Sequence, residues 1–233
     1  MMNSMFKTAC ALTVLAASST TVLAAGDSVD LTVTGTISPV ACTPALSAGG
    51  VIDYGTIGVS KLTAGDYTTL AVKSLDLTVT CDAPAKVAIK AISGRLGSVV
   101  SDSAEGTEGF AVAPVDLFGE SGVEAAGLGL DGADKIGGYA ARIAPSTSNA
   151  DSTAVDTIIS ANNGTSWAAT ATPNITSNQK ILSWAASGTT TPVALTTLTG
   201  TLEVQAYINK TSELDLTKEI ALDGSTTIEI VYL

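Results

Sequence analysis

The sequence predicts an all-β protein, and three observations lead there. Apolar residues recur at every second position in several separate runs, which is the signature of a strand with one apolar and one polar face. Aromatic residues make up 4% of the chain while Ala, Val, Thr, Gly and Ser dominate, a balance that favours many short strands over helices. Gly, Asp and Pro punctuate the runs at short intervals, as turns between strands require.

Residues 1–24 read as a secretory signal peptide: Lys7, an apolar stretch from Ala9 to Ala17, and Val22-Leu23-Ala24 before Ala25. No stretch reaches the roughly 20 apolar residues that a membrane-spanning helix needs, so membrane insertion is not expected. The remainder suits one domain with large loops. Residues 25–37 form an N-terminal extension that reads as a strand. Val29, Leu31, Val33 and Ile37 alternate, Gly35 completes their row, and Asp30, Thr32, Thr34 and Thr36 make the other face. A strand at the start of a mature chain must pair within its own domain or with another copy.

The domain proper spans residues 38–233. Val51 to Ile57 is expected to be a second strand, followed by a turn at Ala64-Gly65-Asp66. Leu75, Leu77, Val79 and Cys81 alternate in the next run, Ala83-Pro84 breaks it, and Ala85 to Ile92 resumes it as the second arm of a hairpin. Between residues 94 and 192 the chain is loop-rich and its periodicity is local. Strands are expected at Phe110 to Leu117 and Lys135 to Ile143, loops at Ser146 to Thr153 and Asn162 to Thr165. Ala154 to Ser160 and Gln179 to Trp184 fit either strands or single helical turns. Leu198 to Ile208 is a clear strand, with Leu202, Val204, Ala206 and Ile208 on one face. Asp223-Gly224 is a hairpin signal. The closing run STTIEIVYL puts Ile228, Ile230 and Tyr232 on one face, with Leu233 last.

Of three cysteines, Cys10 falls in the signal peptide, which leaves Cys42 and Cys81. In an oxidising compartment such a pair reads as one disulfide, worth about 4 kcal/mol in the chain-entropy model. The formal net charge is −11, which disfavours nucleic acid and anionic membranes as partners. The chain contains no His, which removes Ser-His-Asp and Cys-His catalysis, His metal sites and imidazole pH switching together. Glu105/Glu108 and Asp131/Asp134 lack calcium-loop spacing and read as solvated loop carboxylates. Trp167 and Trp184 would suit a sugar-stacking platform, but packing is the simpler role. Asn163, Asn174 and Asn209 begin glycosylation-type triplets, a pattern that arises by chance in Thr-rich chains and carries no force if the source is bacterial. No serine lies in a nucleophile-elbow context. The chain therefore reads as non-enzymatic, with no cofactor and no metal.

Several features together resemble a known family: the spacing Gly35-x-Ile37-x-x-x-x-Cys42, the VIDYGTI segment, the alternating run ending at Cys81, and Tyr232 next to the end. With KIGGYAARI, TGTLEVQAYI and EIALDGSTTIEIVYL, they resemble chaperone–usher pilus subunits of the β-type fimbrial family, often described only by a domain of unknown function. The resemblance implies an immunoglobulin-like sandwich lacking its last strand, with a groove that a periplasmic chaperone covers first. The N-terminal extension of the neighbouring pilus subunit then replaces the chaperone at the outer-membrane usher. It also implies that Val29, Leu31, Val33, Gly35 and Ile37 form the donor strand. Ile228, Ile230, Tyr232 and Leu233 would border the acceptor groove and contact the chaperone. The expected destination is the cell-surface fimbrium, in adhesion or biofilm formation. Two other readings stand beside it: a minor adhesin subunit using residues 94–192 to bind a glycan or host surface, and a secreted β-sandwich completed by its own first strand.

Overall fold

A computed structural model describes residues 29–233. The expected signal peptide at 1–24 and the first residues of the extension lie outside the described residues. Val29 to Ser38 form a unit separate from Pro39–Leu233. They run without strand pairing, and Val29, Leu31, Val33 and Ile37 are 95, 89, 87 and 100% exposed.

The main unit is all-β, as the alternation predicts. Its strands in chain order are β1 (Cys42–Leu46), β2 (Thr68–Thr69), β3 (Lys73–Ala85), β4 (Val87–Ser93), β5 (Phe110–Val112), β6 (Glu124–Gly127), β7 (Leu130–Asp131) and β8 (Asp134–Lys135). There follow β9 (Gly137–Ile143), β10 (Asn149–Ala150), β11 (Thr153–Ser160), β12 (Ala168–Ala169), β13 (Ile181–Ala186), β14 (Leu195–Ile208) and β15 (Thr226–Tyr232). One layer has the order β1-β3-β14-β9-β6-β5 and the other β15-β4-β13-β11-β12, and these pairings are antiparallel. The small strand β10 pairs with both β11 and β14 and links the layers. The first four strands of one layer follow the A-B-E-D order of an immunoglobulin sandwich, and β15-β4 take the F-C positions. Among the described residues nothing pairs with β15 where strand G would lie.

The core fills the space between the layers, with Leu77, Val79, Ile89, Ile143, Trp184 and Leu198 all buried. A second cluster on the outer face of the first layer packs Val99, Leu117, Val123 and Ala140 around Tyr207. This covering changes what strand β9 must be: six of its seven residues are buried. Gly138 has no room for a side chain, since an added Cβ would stand 2.4 Å from the Tyr207 hydroxyl. Among the described residues no helix is long and apolar enough to cross a membrane.

Several local expectations change. Strand β3 runs through Pro84 to Ala85, because the register against β14 shifts between Leu195 and Thr197 and the irregularity accommodates a residue without an N–H. Strand β4 does not form a hairpin with β3; it crosses to the opposite layer and pairs with β13 and β15. The Phe110 to Leu117 run is a strand only to Val112, and Leu117 instead exchanges hydrogen bonds with Glu120 across a turn. The two ambiguous runs, at Ala154 to Ser160 and Gln179 to Trp184, are the paired strands β11 and β13. Val51 to Ile57 forms no strand, and Asp223-Gly224 makes no hairpin; both belong to the groove described below.

The disulfide joins Cys42 and Cys81, which face each other in the β1–β3 register with Cα atoms 4.0 Å apart and a sequence separation of 39. It fastens the edge strand β1 to the sheet. Replacing both cysteines by serine is expected to lower stability by about 2–4 kcal/mol, read from the urea midpoint by circular dichroism.

Candidate functional site

The layers separate along one edge. At one end β1 and β15 approach, and the Cys42 amide donates to the Tyr232 hydroxyl at 2.7 Å. Past Leu46 the chain leaves its sheet, and an elongated groove of about 1000 Å³ opens between residues 51–59 and 214–228. Its floor is the inward row of β14, Leu202, Val204, Ala206 and Ile208, continued by Leu75 and Tyr139. These side chains are buried, and half-buried apolar residues of the two walls, among them Ile52, Tyr54, Leu214 and Leu222, pack against them.

Each wall has a distinct physical origin. On the 51–59 side, Tyr54 takes up the backbone of β14 where the pairing with β3 ends at Lys73↔Val204. Its hydroxyl donates to Val204 O at 3.3 Å and accepts from Ala206 N at 3.2 Å. Burial pushes the phenol pKa up, and the hydrogen bond from Ala206 opposes that. A side chain thus replaces a strand partner, which is why the VIDYGTI alternation is real but yields no ladder. On the opposite wall, Leu214, Ile220 and Leu222 turn inward against the core, and Leu216 also lines the groove. Gly224 sits on the Tyr139 ring, where an added Cβ would lie 2.7 Å from Cε1. The ring cannot swing aside freely, because its hydroxyl is hydrogen-bonded to Thr226 Oγ1 at 2.5 Å. Close approach, not a hairpin turn, explains this glycine.

Of the residues assigned to the groove from sequence, Ile228 lines it. Ile230 packs on the core further along β15, and Tyr232 ties β15 to Cys42 beyond the groove's closed end. The Leu233 amide donates to Lys86 O at 3.0 Å. In the extension, the four apolar donor-row side chains are exposed, and an added Cβ at Gly35 would meet nothing within 4 Å. Sequence reading missed the wall at 214–222, although its LDLTKEIAL run carries the signal as apolar residues two apart at Leu214/Leu216 and Ile220/Leu222. The other candidates separate. Trp184 is buried in the core, with its indole N–H donating to Ser148 Oγ at 3.2 Å, so it forms no platform with Trp167. Glu105 accepts from Gly97 N and Glu108 from Gln179 N, while Asp131 pairs with Lys218. Among the described residues no group of three or more His, Cys, Asp or Glu is placed to hold a metal ion.

The family described as "Protein of unknown function (DUF1120)" matches residues 31–140. The chain is 32% identical to Protein GltF of Escherichia coli (strain K12), over 90% of this chain and 91% of that protein. The chain belongs to the DUF1120 family. It is also 29% identical to Uncharacterized protein YhcF of the same strain, over 90% of this chain and 92% of that protein. No solved structure matches the chain. The DUF1120 match runs from the extension through β1, the 51–59 wall and β3 to Tyr139 on the groove floor.

Three substitutions test this geometry. Gly224→Ala is expected to cost about 1–3 kcal/mol by overpacking against Tyr139, whereas Gly58→Ala, with only Ser60 Oγ near at 3.8 Å, is expected to be neutral in the same urea titration. Tyr54→Phe leaves the Ala206 amide without its partner and is expected to cost about 1–3 kcal/mol.

Proposed function

We propose that this protein is a structural subunit of a bacterial surface fimbria, exported through the periplasm and assembled by donor-strand exchange with the help of a chaperone and an usher. The observation that carries this reading is the pairing of an open apolar groove, flanked by two walls without strand partners, with an exposed strand-like segment bearing one apolar row. An apolar interior left open is an aggregation hazard until a strand covers it. Strand addition supplies both missing components, backbone hydrogen bonds along β15 and side chains for the groove.

Chain polarity favours a donor from another copy. The sandwich is built from antiparallel pairs, and antiparallel pairing is the more stable kind. A strand antiparallel to β15 comes in beside Ile228 and leaves beside Leu214. If it were the chain's own extension, Ile37 would end near Leu214 while Cys42 lies at the opposite end, beside Tyr232. The five steps from Ile37 to Cys42 reach about 17 Å, and the six steps along β15 alone span about 20 Å. A strand of that polarity therefore comes from another molecule, and the chain's own extension is left to fill a neighbour's groove. Such head-to-tail contacts do not close on themselves and build filaments. The net negative charge of the chain disfavours association of the free subunits before they are delivered.

The test is the oligomeric state of the mature chain expressed to the periplasm, alone and with a fimbrial chaperone, by size exclusion with light scattering. A one-to-one chaperone complex, or SDS-resistant ladders from the chain alone, is expected. Deleting residues 25–37, or the single change Val33→Asp, is expected to abolish the ladders and leave chaperone binding intact. A stable monomer without chaperone would overturn the proposal.

A further inference from the structure

The 214–222 wall packs its apolar side chains on the core but has no strand pairing, and most of the few hydrogen bonds that place it converge on Asp223. The Asp223 amide donates to Leu128 O at 2.9 Å. Its carboxylate receives a two-pronged contact from Arg95, Nε to Oδ2 at 2.9 Å and Nη2 to Oδ1 at 2.5 Å. Nε also donates to Asp223 O at 2.8 Å, and Nη1 to Gly94 O at 3.1 Å. One step further, Gly94 N donates to Ser225 O at 2.8 Å. Arg95 is itself held at both backbone ends, its amide donating to Ser93 Oγ at 3.1 Å and its carbonyl accepting from Ser98 Oγ at 2.7 Å. From Asp223 back to Leu214, the one hydrogen-bonded tie to the rest of the sandwich among the described residues is Lys218 to Asp131, at 2.8 Å.

We infer that Arg95 is the positioning residue of the groove: its fork on Asp223 sets where the 214–222 wall stands, and thereby how long the groove retains a docked strand. A guanidinium presents two parallel donors to one carboxylate, which fixes direction as well as distance; a lysine ammonium supplies only the charge. Arg95 and Asp223 are both partly exposed, and an exposed ion pair adds little to global stability. Its effect is local, because a wall that is already ordered loses less freedom when a strand docks. The contact also holds the Asp223 carboxyl below the usual carboxylate range, so it persists through the neutral range. The part concerning a docked strand rests on the strand-accepting reading above; the part concerning the wall does not.

The experiment compares the full mature chain with its Arg95→Ala, Arg95→Lys, Asp223→Asn and Arg95→Ala/Asp223→Asn variants. Amide hydrogen exchange at Gly94 and Asp223 is expected to quicken at least about tenfold in Arg95→Ala, with β14 unchanged. Arg95→Lys is expected to restore little of the protection, and the double variant to exchange no faster than Arg95→Ala. Excess fluorescein-labelled peptide of residues 25–41 is expected to replace the bound strand about tenfold faster in Arg95→Ala, while the thermal midpoint stays within about 2 °C. Unchanged amide exchange in Arg95→Ala overturns the inference, and so does a lowered midpoint with an unchanged replacement rate. Failure of the wild-type chain to take up the peptide defeats the strand-accepting reading instead, and the amide rates still decide whether Arg95 places the wall.

Discussion

A two-layer sandwich must cover its interior along both lateral edges, because apolar surface left in water costs about 25 cal/mol per Å². In this protein that requirement is met along one edge for only part of its length. Strands β1 and β15 close the space near the Tyr232 to Cys42 hydrogen bond and then diverge. Beyond that point Leu202, Val204, Ala206 and Ile208 face a groove, not another strand. The placement of the disulfide, Tyr54, Gly224 and Arg95 follows from this shortfall, since each holds some part of the edge in position without a ladder to do so.

Those four devices act at different points along the groove. The Cys42–Cys81 bond secures β1, the edge strand from which the 51–59 wall departs. The Tyr54 hydroxyl stands in for a strand partner on β14, which keeps buried backbone groups satisfied where β3 has ended. Gly224 lets the opposite wall descend onto Tyr139, and Arg95 holds the residue before it. The DUF1120 match at residues 31–140 covers most of the described extension, β1, the first wall and part of the floor, so much of the open edge lies within the matched segment.

Alternation is weak in the loop-rich middle of the chain for a related reason, even at Lys135 to Ile143, where a strand is expected and forms. Strand β9, GGYAARI, is buried on both faces, one against the main core and one against the cluster around Tyr207. A strand covered on both sides has no polar row, so period-two alternation disappears from its sequence. The close approaches there require Gly and Ala in place of the branched residues that usually mark a strand. Pro84 misled in the opposite direction, because a register shift in β14 lets the strand continue past it.

By itself the sequence determined the all-β class, the Cys42–Cys81 pairing, the inward row of β14 and the apolar row of the extension. These are properties of short stretches, carried by alternation and by residue chemistry. Only the tertiary structure decided that VIDYGTI and LDLTKEIAL stand apart as two walls, that Gly224 answers to Tyr139, and that Arg95 meets Asp223. Alternation reports which side chains seek the interior. It does not report whether the backbone beside them finds a hydrogen-bonding partner, because that partner is supplied by strands far away in the chain.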